Sequence, residues 1–158
     1  MALCRRHPEL RATVVDLPGS AAIGREIVAG AGMADRVGHV DGDMFEVDLG
    51  GPHDGALAFN IIHHLSPAQI TRLFGRIAAA LRPGAPLCVL DLYDRPPGKR
   101  PDSGSFLGLF FHLTSAADTY SRTEVSEWLA GSGFPAVAEK TLPQLPGLAL
   151  LCGERAGG

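Results

Sequence analysis

An apolar run that delivers a histidine to its far end is a place where protons can be moved. His63 and His64 stand just past such a run, Gly55 to Asn60. An imidazole with a reference pKa of about 6.5 is largely neutral at pH 7 and can take the proton of a hydroxyl. On their own these two residues also read as a surface or helix-capping pair. They fit zinc poorly, because consecutive side chains diverge and no third ligand stands at helical spacing. Asp91 is embedded near the end of the next apolar run, Pro86 to Tyr93, with Asp94 just beyond. A carboxylate there can orient an imidazole and stabilise its charged form. Asp16 closes the run Ala12 to Asp16, where it can hold both hydroxyls of a ribose or serve as a turn aspartate. Asp43, in the loop Gly42-Asp43-Met44, can bond an adenine amine while Met44 lines the ring, or close an Asx-turn. Phe106, Phe110 and Phe111 can cover a flat substrate or fill a core. His7, His39, His53 and His112 read as surface or loop residues.

Other chemistries lack their residues. There is no Gly-x-Ser-x-Gly and no P-loop. The one Gly-x-Gly, Gly30-Ala31-Gly32, follows a helix and so is not the strand-to-helix turn that cradles a cofactor. Tyr93 and Tyr120 have no lysine four residues on, which counts against an oxidoreductase using a Tyr-x-x-x-Lys pair. The acidic positions lie in separate loops with no ligand spacing, so no metal is expected.

The elements that must position these residues follow from period and punctuation. Residues 1–10 read as the end of a helix. Ala12 to Asp16 is a buried strand, Ser20 can cap the next helix, and Ile23, Ile27 and Val28 form its apolar stripe. Strands are expected at Val37 to Val40, Gly55 to Asn60 and Pro86 to Tyr93. Ser66 and Gln69 have capping-box spacing ahead of a helix from Pro67 to Leu81, with Ile70, Leu73, Phe74, Ile77 and Leu81 on one face. Asp94 to Ser105 reads as a loop and Phe106 to Thr114 as a short apolar helix or lid. Ser121 and Glu124 begin another capped helix carrying Val125, Trp128 and Leu129. Ala136 to Thr141 and Leu148 to Gly153 close the chain as an antiparallel pair. Strands alternating with helices give an α/β fold with a mostly parallel sheet. Ligands in such sheets bind beyond the carboxyl ends of the strands, where Asp16, Asp43, Asn60, His63, His64, Asp91 and Asp94 fall.

Composition narrows the classes. The chain has 158 residues, 46% hydrophobic and 20% charged, which suits one packed domain, residues 1–158. A net charge of -3 leaves no basic excess for a nucleic-acid partner. The densest apolar runs are too short to span a bilayer, and no signal peptide is visible. Cys4, Cys88 and Cys152 suggest no disulfide or zinc framework, and Cys88 and Cys152 read as small core residues. The expectation is a soluble, cytoplasmic domain.

The run Val14-Val15-Asp16-Leu17-Pro18, then Ala34-Asp35-Arg36-Val37, Gly42-Asp43-Met44-Phe45-Glu46, Asn60-Ile61-Ile62-His63-His64-Leu65, Leu81-Arg82-Pro83-Gly84, Arg122-Thr123-Glu124 and Gly133-Phe134 closely resembles class I S-adenosylmethionine-dependent small-molecule O-methyltransferases. The motifs keep the family's order and spacing over nearly the whole chain. The resemblance implies a Rossmann-like methyltransferase sheet, S-adenosyl-L-methionine as cofactor, and a small hydroxylated, aromatic acceptor from secondary metabolism. It implies His63 as the catalytic base and Asp91 as the residue that positions it, where many members carry glutamate. It implies Asp16, Leu17, Asp43, Met44 and Asn60 around the cofactor. Three positions depart from the family: His64 where aspartate is common, Leu65 where tryptophan is common, and Ser121 where a second glutamate is common.

The family also has a first strand, a Gly-x-Gly-x-Gly turn and a helical N-terminal domain that makes its usual homodimer. None of these is found in this sequence. The expectation is an N-terminally truncated catalytic domain whose sheet lacks its first central strand, leaving the strands ending at Asp16 and Asn60 either paired directly or with unpaired edges. Weak or absent cofactor binding by this polypeptide alone is expected with it. A non-catalytic remnant acting as an interaction module, or half of a split enzyme, is the alternative.

Overall fold

A computed structural model describes residues 1–94, 119–142 and 148–157. These divide into two compact units, Met1–Leu49 and Gly50–Gly158. The first contains α1 (Ala2–Arg6), β1 (Ala12–Asp16), α2 (Pro18–Gly30) and β2 (Val37–Asp41). β1 and β2 pair in parallel, with Ala12 opposite Val37 and Asp16 opposite Asp41. Cys4, Val28, Met33 and Val37 form its buried cluster, with Ala12 and Ala31 against it. The Arg36 guanidinium donates to the carbonyls of Cys4 at 2.7 Å and Pro8 at 2.9 Å, satisfying acceptors that the end of α1 leaves open.

Two expectations about α2 are corrected here. It begins at Pro18 with Leu17 as N-cap, two residues before Ser20, because proline's fixed φ suits the first helical position. Its stripe is also rotated. Ala21 and Val28 are buried, while Ile23 and Ile27 are 61% and 55% exposed. His39, expected on the surface or in a loop, is half-buried on β2. A Cβ at Gly24 would run into its ring, so the small residue in α2 makes room for the imidazole.

The second unit holds β3 (Ala56–Phe59), a 3-10 turn (Ile62–His64), α3 (Pro67–Ala80), β4 (Pro86–Asp94), β5 (Tyr120–Ser121), α4 (Arg122–Gly131), β6 (Ala136–Thr141) and β7 (Leu148–Glu154). The strand order is β3-β4-β7-β6, with β5 also on β4. β3 and β5 run parallel to β4, and β7 runs antiparallel to both β4 and β6. The expected mixed α/β sheet with an antiparallel end is therefore present. Among the described strands β1 pairs only with β2, and β3 only with β4, so each has one edge without a ladder.

Leu87, Val89, Asp91 and Tyr93 are buried along one face of β4. Ile70, Leu73 and Phe74 from α3 and Val125 and Leu129 from α4 join the same unit's core. The reading of Cys88 and Cys152 as unbonded is overturned. They face one another across the β4–β7 ladder and form a disulfide that spans 64 residues of sequence. Among the described residues no helix is long and apolar enough to cross a membrane. Asp94, read as the start of a loop, instead ends β4; the rest of that loop reading, 95–105, the lid reading for 106–114 and the Phe106, Phe110 and Phe111 cover lie outside the described residues.

Both expected capping boxes form. Ser66 accepts from the Gln69 N–H while the Gln69 side chain accepts from the Ser66 N–H. Ser66→Ala is expected to cost about 1 kcal/mol, seen as a lower urea midpoint. At α4, Ser121 and Glu124 repeat the arrangement, and hydrogen bonds from the Ser121 hydroxyl and then its N–H hold the Glu124 carboxyl below its usual range. A depressed folded-state pKa stabilises above the unfolded value, about 4.3, and that contribution is lost as pH falls through the folded one. Wild type should therefore exceed Glu124→Gln by about 0.5 kcal/mol at pH 6, the scale of an exposed carboxylate in a first helical turn. Urea titrations at pH 6 and pH 3 should show the difference closing at the lower pH.

Candidate functional site

The parallel register of β3 and β4 brings the chemistry-bearing residues of the second unit together. Phe59 lies opposite Leu90, so the residues just past β3 emerge beside Asp91. Asn60 makes the exit. It sits in the left-handed region at φ 52°, where asparagine is better tolerated than most side chains, and its N–H still donates to the Leu90 carbonyl at 2.8 Å. The 3-10 turn then presents His63.

His63 and Asp91 are both buried, at 6% and 0% exposure, and His63 Nδ1 lies 2.6 Å from Asp91 Oδ1. A carboxylate can only accept, so Nδ1 carries the proton and the neutral ring has its lone pair on Nε2. Asp91 is itself fixed. Its Oδ2 accepts from the N–H groups of Ile61 at 3.1 Å and Ile62 at 3.0 Å. Its Oδ1 accepts additionally from the Leu92 N–H at 2.8 Å. Three backbone donors and one imidazole thus surround a carboxylate with no access to water. They leave neither oxygen of the buried carboxylate without a hydrogen-bond donor, and the carboxylate in turn faces the imidazolium that forms when Nε2 takes a proton.

His64 is exposed and its ring centroid is 4.1 Å from that of His63, the planes tilted by 52°. Partial burial, then the charge of His63, hold its pKa below the usual histidine value, with Asp91 pulling the other way. Behind the pair, burial and then Asp91 push the Tyr93 phenol above its ordinary value; Tyr93 remains a neutral core residue.

The first unit carries the other predicted set. Asp16 and Asp41 are register partners at the carboxyl ends of β1 and β2, and the Gly42 N–H donates to the Asp16 carbonyl at 2.9 Å. Asp16 and the loop bearing Asp43 and Met44 therefore adjoin. Asp16 is exposed and its Oδ1 accepts from the Leu17 N–H at 2.8 Å. Leu17 is exposed as well. Asp43 Oδ1 accepts from the Phe45 N–H at 2.8 Å, which is the Asx-turn of the sequence reading, and Met44 is half-buried. Asp41 pairs with Arg25 of α2. Exposed carboxylates beside strand ends have the acceptor chemistry that a ribose diol and an adenine amine require, so these residues fit an adenosyl group. Among the described residues no cluster of three or more His, Cys, Asp or Glu side chains could hold a metal ion.

Sequence reasoning overlooked Tyr120. Its hydroxyl donates to the Leu65 carbonyl at 2.6 Å, at the far side of the turn that carries His63. A two-residue strand has no readable period, so only the polar tip of an otherwise apolar residue hinted at a partner. Asp94, at the end of β4, accepts from Thr119.

Residues 1–135 match the family model described as an O-methyltransferase domain. The chain is 29% identical over 131 residues to the 3-hydroxy-5-methyl-1-naphthoate 3-O-methyltransferase of Streptomyces sahachiroi, covering 83% of this chain and 38% of that one. It is 31% identical over 141 residues to the aclacinomycin 10-hydroxylase RdmB of Streptomyces purpurascens, covering 89% and 37%. The crystal structure of the S-adenosylmethionine-dependent methyltransferase SibL superimposes with a TM-score of 0.87 at 26% identity, over 99% of this chain and 46% of that one. The chain spans less than half the length of each of these proteins. With more than four-fifths of its residues inside the matching model, the chain belongs to the O-methyltransferase domain family.

Proposed function

We propose that this chain is the catalytic part of an S-adenosyl-L-methionine-dependent O-methyltransferase that methylates a hydroxyl on a small aromatic metabolite. The observation that carries the reading is the buried His63–Asp91 pair, with Asp91 anchored by three backbone N–H groups. That arrangement keeps a basic nitrogen at Nε2, as removal of a proton from a phenol-like hydroxyl of reference pKa about 10 requires. S-adenosylmethionine, when bound, supplies an electrophilic methyl group on a sulfonium. Asp16 would hold its ribose, with Leu17 beside it, and Asp43 and Met44 would border its adenine.

The steps left to the protein are then few. Nε2 of His63 accepts the hydroxyl proton as the oxygen becomes nucleophilic. Asp91 stabilises the resulting imidazolium without taking the proton itself. Alignment of oxygen with methyl contributes the rest. The naphthoate methyltransferase among the relatives supports a fused-ring phenol as acceptor. The hydroxylase relative shows that other chemistry occurs on related chains. The fixed base at His63 favours methyl transfer here, because that reaction needs the acceptor deprotonated and nothing else supplied by the side chains.

The test is formation of S-adenosylhomocysteine from millimolar S-adenosylmethionine and a panel of hydroxynaphthoates and simpler phenols, followed by chromatography. A high donor concentration keeps weak cofactor affinity from masking turnover. We expect a methylated product with at least one acceptor. No product above a heat-denatured control across the panel would leave the interaction-module reading in its place.

A further inference from the structure

We propose that Tyr120 is a positioning residue for the His63 base, acting through its hydroxyl on the carboxyl end of the turn that carries the imidazole. The inference rests on the reading of His63 as base. A single 3-10 turn does not hold itself in place. Inside this one only two backbone bonds close, His64 N–H to Ile61 at 3.1 Å and Leu65 N–H to Ile62 at 3.0 Å. Its orientation must come from outside. At the start, Asp91 accepts the Ile61 and Ile62 N–H groups. At the end, the carbonyl of Leu65, the C-cap residue, accepts the Tyr120 hydroxyl at 2.6 Å across 55 residues of sequence.

Both anchors rise from the same sheet. Tyr120 of β5 is the register partner of Tyr93, two residues past Asp91 on β4. The Tyr120 ring stands edge-on to Trp128 of α4, with centroids 5.0 Å apart and planes at 78°, and α4 starts immediately after at the Ser121 cap. A phenol has only two side-chain torsions, and here a ring neighbour limits them. The hydroxyl is thus a rigid strut, and His63 sits on a turn held at both ends by adjacent strands.

Tyr120→Phe removes the strut and keeps the ring. In 15N-histidine NMR of the full chain, the His63 Nδ1–H should exchange with solvent at least about 10-fold faster than in wild type, while backbone amides of β4 and β7 keep their protection. Methyl transfer should lose kcat by about 10-fold with KM unchanged, less than the roughly 100-fold that a 1 Å misplacement can cost. Trp128→Leu, which keeps the hydroxyl but frees the ring, should move both readouts the same way by a smaller factor, and it decides the matter if Tyr120→Phe does not fold. An unchanged Nδ1–H, or one that changes only in step with every amide of the fold, would overturn the inference. Loss of activity in His63→Ala together with unaltered kcat in Tyr120→Phe sinks the strut alone. Undiminished activity in His63→Ala sinks the base reading instead.

Discussion

His63→Ala is expected to slow methyl transfer to a phenolic acceptor by about 10²–10⁴-fold, the range a positioned general base contributes. The removed group touches the reacting hydroxyl in the proposed reaction, so the loss should fall on kcat. Binding of S-adenosylhomocysteine, measured by calorimetry, should hardly change, because His63 acts on the acceptor hydroxyl in the proposed reaction and is not among the residues assigned to the cofactor. Stability should fall modestly. Asp91 Oδ1 loses the imidazole but keeps the Leu92 N–H, and Oδ2 keeps Ile61 and Ile62. A variant that transfers methyl groups at the wild-type rate would remove His63 from the mechanism and turn attention to His64.

The second large effect concerns Asp91, and it separates folding from chemistry. Asp91→Ala would strand three backbone N–H groups and the His63 Nδ1–H in a site closed to water. Leaving such donors unpaired, and breaking a buried charge-assisted pair, costs on the order of 3–5 kcal/mol. Against a typical total of about 5–15 kcal/mol, the urea midpoint should fall by about a fifth or more, or the chain should fail to fold. Asp91→Asn keeps the shape but not the acceptors. Both carboxylate oxygens receive two donors, so whichever way the amide turns, its NH2 meets an N–H. If it faces His63, Nδ1 must accept, and the ring's proton moves to Nε2. A tautomer inversion of this kind costs a triad enzyme about 10⁴-fold in kcat. The Asn variant should therefore fold better than the Ala variant yet turn over at least 10²-fold more slowly than wild type. Equal kcat for Asp91→Asn and wild type would show that the carboxylate does not control the imidazole.

Much of this was readable from residues, and the rest depended on distance in sequence. α3 was legible because Ser66, Gln69 and the apolar stripe from Ile70 onward are local signals that agree with one another. His63 and Asp91 were legible as candidates because parallel sheets deliver the ends of neighbouring strands to one side. Their 2.6 Å bond was not, since it depends on the register of β3 on β4. The same limit hid the disulfide: Cys88 and Cys152 carry no local sign that β7 returns antiparallel with those residues opposed. Ile23 and Ile27 misled for another reason. Period alone gives a helix an apolar side, but Ala21 and Val28 are what this helix buries, so the true stripe is narrower than hydrophobicity suggested. The strand Tyr120–Ser121 was invisible because two residues cannot display alternation.

The bond between Cys88 and Cys152 also changes the topology of the polymer. It closes a covalent ring that contains every residue from 88 to 152. A protease that nicks the backbone once anywhere inside that ring produces no separate fragments until the sulfurs are reduced. The two pieces would run as one band on a gel without reductant and as two with it, because the sulfurs tie the strand that carries Asp91 to its antiparallel neighbour.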